Sequence, residues 1–82
     1  MGFFQDAKAS AIGTDAATAA QAGRLVFVAM LHGGLTYRGM SKEVSAWSEQ
    51  IAAIEASGWM LTHFSAVEEA QAPKAYCVFH RR

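Results

Sequence analysis

A continuous apolar run at residues 25–31 constrains the fold of this chain more than any other feature. The run reads Leu-Val-Phe-Val-Ala-Met-Leu, is rich in β-branched and aromatic residues, and has the length of a strand. Because successive side chains of a strand point to opposite faces of the sheet, an unbroken apolar run makes both faces apolar. We therefore expect a sheet that needs cover on two sides.

The chain is short for a protein whose sheet must be covered on both faces. Its 82 residues are 52% hydrophobic and 17% charged, which indicates one small folded domain and argues against a disordered segment. A chain of this length buries only about 60–65% of the surface that it exposes when unfolded, so its core has little stability to spare. Self-association is therefore expected.

Charge and cysteine content narrow the function classes. Seven basic residues balance seven acidic ones, which removes the general attraction to phosphate backbones, so we expect no nucleic-acid partner. The one cysteine, Cys77, cannot form an intramolecular disulfide, which fits a cytoplasmic protein. No secretory leader is visible, and no apolar stretch approaches the roughly 20 residues of a membrane span.

Residues 1–23 form an Ala-rich segment that ends at Gly23 and predicts a helix over residues 2–22. A break at residues 12–14, with Thr14 capping a second piece, is the alternative to a continuous helix. A stripe of mostly small residues follows one side at helical spacing: Phe4, Ala7, Ala11, Thr14 and Thr18, with Phe3 and Ala22 at its margins. Such a stripe must dock on something else to be stable.

Residues 24–82 predict a small α+β domain. Ser41 is the predicted N-cap of a helix over about residues 42–57 that ends at Gly58. Its apolar face consists of Val44, Trp47, Ile51 and Ile54, and its polar face of Lys42, Glu43, Glu49, Gln50 and Glu55.

Three segments predict strands: residues 25–31, 59–67 and 75–80, the last two forming an antiparallel hairpin. Residues 35–38, after Gly33 and Gly34, would add a return strand. The expected sheet is therefore mostly antiparallel, with three strands or four. We expect the second helix on one face, and the N-terminal helix on the other face or on a neighbouring subunit.

The C-terminal part resembles a group of small uncharacterised bacterial proteins of the strand-helix-strand-strand kind. Residues 51–61 read Ile-Ala-Ala-Ile-Glu-Ala-Ser-Gly-Trp-Met-Leu, and the chain finishes with Tyr-Cys-Val-Phe-His-Arg-Arg at residues 76–82. In that group a helix runs into Gly-Trp-x-Leu and the last strand is aromatic with a Phe-x-Arg motif. The resemblance covers residues 24–82, implies the α+β fold, and transfers no catalytic residue.

Three histidines, His32, His63 and His80, raise the question of a metal site. His63 faces His80 if the last hairpin pairs positions summing to 143, whereas a slip of one residue places His63 opposite Phe79. His32 joins them only if the return strand forms. Because no metal-binding motif supports the site, we expect hydrogen-bonded or partly exposed strand histidines, and no cofactor.

The sequence also argues against catalysis by a cysteine nucleophile. Strand residues three apart point to opposite faces, which separates Cys77 from His80, and His63 could reach the thiol only diagonally. We expect Cys77 to be a small buried apolar residue, and we expect no enzyme.

These observations favour a non-enzymatic interaction module that forms homo-oligomers, with an unidentified protein as the other possible partner. Its expected contact surface is Phe3, Phe4, Ala7 and Ala11. The alternative is a ligand or metal site between helix and sheet that uses the three histidines with Tyr37 or Tyr76. A third hypothesis, a helix lying on a membrane surface, has only Lys8 to support it.

Overall fold

The computed structural model describes residues 3–32, 43–67 and 73–82, with side chains from residue 8 onward. It contains two helices and three strands in the order α1 (Phe3–Gln21), β1 (Val26–His32), α2 (Ser45–Glu55), β2 (Trp59–Val67) and β3 (Lys74–Arg81). The predicted α+β class is confirmed.

The three strands form one antiparallel sheet in the order β1-β3-β2, so that the last strand lies in the middle. The predicted hairpin of the last two strands is confirmed. The possible return strand at residues 35–38 lies outside the described residues.

One β-bulge interrupts the pairing of β2 with β3. Leu61 pairs with Phe79 and His63 pairs with Val78, which leaves Thr62 as the extra residue. Its hydroxyl donates a hydrogen bond to the Val78 carbonyl at 3.1 Å.

Both helices lie on the same side of the sheet. Ala16 and Ala19 of α1 and Ile54 of α2 belong to one core with Phe27 and Trp59 of the strands. The helices also pack against each other. The expectation that the N-terminal helix covers the other face of the sheet, or docks only on a neighbouring subunit, is therefore wrong.

The first helix is continuous through the predicted break. A Cβ added to Gly13 would lie 3.3 Å from the Cβ of Ala53, so Gly13 allows α1 to approach α2 closely. Thr14 does not cap a new helix, because its hydroxyl donates back to the Ser10 carbonyl at 3.0 Å within the same helix. Gly23, with φ of 79°, ends the helix as predicted.

The buried side of α1 is not the predicted stripe. Ala16 and Ala19 are buried, and Ile12 and Ala20 pack partly buried against the core. Three stripe members, Ala11, Thr14 and Thr18, are exposed. The physical reason is that α1 turns Gly13 toward Ala53 of α2, where the missing side chain allows close contact, while Ile12 packs partly buried against the core.

The second helix is shorter than predicted, and its polar side is partly wrong. Val44 occupies the N-cap position without a side-chain hydrogen bond, and the predicted cap Ser41 lies outside the described residues. Gln50, expected to face water, is only 3% exposed. Its amide donates to the carbonyls of His32 at 3.2 Å and Ala46 at 2.9 Å, which ties α2 to the end of β1.

Trp59 connects three elements in the core. It is fully buried, and its indole N–H donates to the Ala16 carbonyl of α1 at 3.0 Å. Its ring lies 5.6 Å from that of Phe27 in β1, and the Arg81 guanidinium lies 5.3 Å from its ring centre.

The two tryptophans provide a matched test of this contact. Trp59→Phe removes the bond to α1 and should lower the free energy of unfolding by about 2 kcal/mol. In Trp47 the indole Nε1 is buried and finds no acceptor among the described residues. Trp47→Phe should therefore cost less than about 1 kcal/mol, because no bond is lost. Urea unfolding followed by circular dichroism measures both, and equal losses would contradict the assignment.

Candidate functional site

The most unusual surface of this molecule is the side of the sheet that faces away from both helices, which we call the open face. Alternation along the paired strands places four rows of three residues on it. The rows are Val26, His80 and Met60; Val28, Val78 and His63; Met30, Tyr76 and Ser65; and His32, Lys74 and Val67.

The two faces of the sheet differ in exposure along β1 and the centre of β3. On the helix side Phe27, Leu31 and Phe79 are buried. On the open face Val28 is 63% exposed, and Met30 and Tyr76 are each 44% exposed. The prediction of a sheet that is apolar on both faces is therefore confirmed, and within the described residues only one face is covered.

The apolar part of the open face is large for so small a protein. Seven of its residues are apolar or aromatic: Val26, Val28, Met30, Met60, Val67, Tyr76 and Val78. Their exposed fractions correspond to roughly 500 Å², which is the size of the functional patches found on single-domain proteins.

The ionisable side chains that the strands place on the open face include no carboxylate. All three histidines of the chain lie there, with Lys74 and Tyr76. No Asp or Glu occurs in β1, β2 or β3. The face therefore carries groups that are positive or neutral, and no carboxylate from its own strands.

The three histidines lie on the same face of the sheet but do not all lie close to one another. The pairing places His63 opposite Val78, so both registers expected for the hairpin are wrong. The bulge at Thr62 is not the cause, because Leu61 already pairs with Phe79 before it, two or three residues away from the expected registers. The bulge only moves the partner of His63 from Cys77 to Val78. His80 pairs with Val26 at the start of β1. His32 lies at the other end of this strand, about 20 Å from Val26.

The expected location of a histidine site between helix and sheet is also wrong, because all three imidazoles lie on the side away from the helices. An open cleft of about 310 Å³ does lie between the end of α1 and the start of β1, but it is lined by Asp15, Arg24 and Phe27 among others and by no histidine. Among the described residues, no group of three or more His, Cys, Asp and Glu is placed to hold a metal ion. Tyr37 lies outside those residues.

A side-chain contact at the bulge holds His80. The Thr62 hydroxyl lies 3.1 Å from the Val78 carbonyl oxygen and 2.7 Å from His80 Nδ1, which is hydrogen-bond distance from both. The bulge thus holds one imidazole in a defined orientation on the open face.

Cys77 lies on the other side of the sheet from His63 and His80. It pairs with Ala29 and Phe64, is completely buried, and faces the helices. The structure therefore brings no imidazole of the open face to the thiol, as expected from the strand spacing.

The four residues expected to form the contact surface lie in α1. Ala11 is exposed. The side chains of Phe3, Phe4 and Ala7 lie outside the described part of the chain. The sequence predicted a second apolar face of the sheet, with Val26, Val28 and Met30 on it, that needs cover from a helix or another subunit, but the contact residues it named lie on α1 instead.

Neither of the described helices combines the length and apolarity needed to cross a membrane. No protein-family model, curated protein or solved structure matches the chain. The resemblance to small strand-helix-strand-strand proteins therefore stays a prediction, and the functional argument depends on the geometry.

The burial of Cys77 predicts an inert thiol. Desolvation raises the pKa of this thiol, so at pH 8 a smaller fraction is thiolate than in a free cysteine. Alkylation of the native protein by iodoacetamide at pH 8 should be at least about 100-fold slower than that of the same protein unfolded in guanidinium, because burial also blocks access. Mass spectrometry over time measures both rates, and similar rates would contradict the buried position.

Proposed function

We propose that this protein is a non-enzymatic self-assembling module in which a second copy of the chain covers the open face. The single observation that carries the proposal is the exposure of six apolar or aromatic side chains on one face of the sheet while both described helices pack on the other. Contiguous apolar surfaces of this size on soluble proteins mark interaction sites.

A second copy fits this surface in area. Two open faces pressed together bury about 1,000 Å² in total, which reaches the lower limit for a specific interface. The two sheets would pack at a separation of about 10 Å, as in β-sandwiches, with the helices on the outside. The product is a symmetric dimer of four layers.

A second copy also fits in charge. The chain has no net charge, and at neutral pH the open face carries one fixed charge, that of Lys74 in its last row. Two apolar faces related by a two-fold axis therefore meet without a large repulsion.

The outer side of α1, including Ala11, remains a second candidate contact surface. An unidentified protein partner is the other possible occupant of the open face. The positions of Cys77 and the histidines on opposite faces of the sheet support the non-enzymatic part of the proposal, since nucleophile and base would have to meet.

A single charge on the open face should separate the copies. Val28→Lys places an ammonium group in the middle of the apolar rows, where a covering copy would remove its water. Light scattering should give at least twice the 8.8 kDa chain mass for the unchanged protein and the chain mass for the variant. The double variant Val28→Lys/Tyr76→Lys extends the test to the central strand.

Two matched controls identify the surface. Ala52→Lys adds the same charge to an exposed position of α2 and should leave the mass unchanged. Ala11→Lys adds the same charge to an exposed position of α1. Dissociation of this variant alone would show that the contact surface lies on the helix and not on the open face. A protein that stays at the mass of one chain at 100 μM, without any substitution, would disprove self-assembly.

A further inference from the structure

All three histidines of the chain lie on the one face that we propose is covered by a second copy. From this placement, and resting on the proposed function, we infer that self-assembly is linked to protons: the copies associate at neutral pH and separate as the pH falls toward 5.5. The histidines are the residues that sense the change.

Among the described residues, the rows of the open face that hold the imidazoles contain no carboxylate. His80 lies in a row with Val26 and Met60 and is bonded to Thr62. His63 lies in a row with Val78 and Val28.

The third histidine lies in a row with a cation and an apolar residue. His32 is next to Lys74, which pairs on its other side with Val67. The remaining ionisable side chain of the face is that of Tyr76.

The covering copy brings the same set of groups. Since no strand contains Asp or Glu, a second open face adds histidines, Lys74 and Tyr76 opposite the first. The acidic residues with described side chains, Asp15, Glu43, Glu49 and Glu55, lie in α1, in α2 or just before α2. An imidazolium on the open face would therefore meet only apolar groups or like charges from these strands.

The direction of the pH effect follows from this environment. A free imidazole gains its proton between about pH 7 and pH 5, whereas burial in an apolar interface beside like charges disfavours the charged form. The assembled state therefore binds fewer protons than the separate chains. Association must weaken as the pH falls, and it reaches its full strength once the imidazoles are neutral.

The contact of His80 Nδ1 with the Thr62 hydroxyl at 2.7 Å holds this ring on the open face. A proton added to the ring would bring a positive charge that the interface must then enclose.

The experiment measures the dissociation constant of the assembly by sedimentation equilibrium at pH 7.5 and pH 5.5, at each pH with and without EDTA. We expect the constant to rise at least about tenfold at the lower pH, since three groups per copy each contribute. Circular dichroism at pH 5.5 checks that the chain stays folded.

Neutral substitutions identify the groups responsible. The triple variant His32→Gln/His63→Gln/His80→Gln should assemble with a constant that is the same at both pH values. The single variant His63→Gln, on the exposed edge strand β2, should show a smaller rise than the unchanged protein.

The possible failures are distinguishable. A protein with the mass of one chain at both pH values disproves the proposed function and this inference with it. Assembly with the same constant at both pH values disproves the inference alone. Dissociation by EDTA at pH 7.5 would show that a metal ion, and not the neutral imidazoles, holds the copies together, and a pH-sensitive triple variant would assign the effect to other groups.

Discussion

The contact of Trp59 with the first helix determines on which side of the sheet everything else is placed. Its buried indole donates to the Ala16 carbonyl and packs on Phe27, so the helix, the central core and β1 meet at one ring. Gly13 lets the same helix approach Ala53 closely. With both helices held on this side, the described chain has no element left for the other face.

The open face is the surface on which the proposed function depends. It combines apolar side chains from three strands with all three histidines and no carboxylate from those strands. We propose that this face takes a self-complementary partner, because a second copy buries the exposed surface and adds no carboxylate from these strands. Under the same proposal the contact is sensitive to protons, since imidazole is the side chain whose charge changes near neutral pH.

Strands were predictable because their signals are local. The apolar run at β1, the helix stop at Gly58 and the tryptophan that follows it are read within a few residues, and the observed bounds differ from the predicted ones by a residue or less for all three strands. Local patterns did not predict the bulge, since nothing in the sequence of β2 marks Thr62 as the extra residue. They failed at Gln50 as well, because its burial depends on the His32 carbonyl, 18 residues away.

The amino-acid sequence by itself determined the α+β class, the hairpin and a sheet that is apolar on both faces, because these follow from side-chain alternation and from helix and turn chemistry within short windows. Only the tertiary structure determined which side of α1 is buried, which face of the sheet is left bare and that the histidines gather on it. Alanine, glycine and threonine differ too little in hydrophobicity to orient a helix. Its placement depends instead on the fit of Gly13 against Ala53 and of Ala16 against Trp59, contacts between residues 40 or more positions apart.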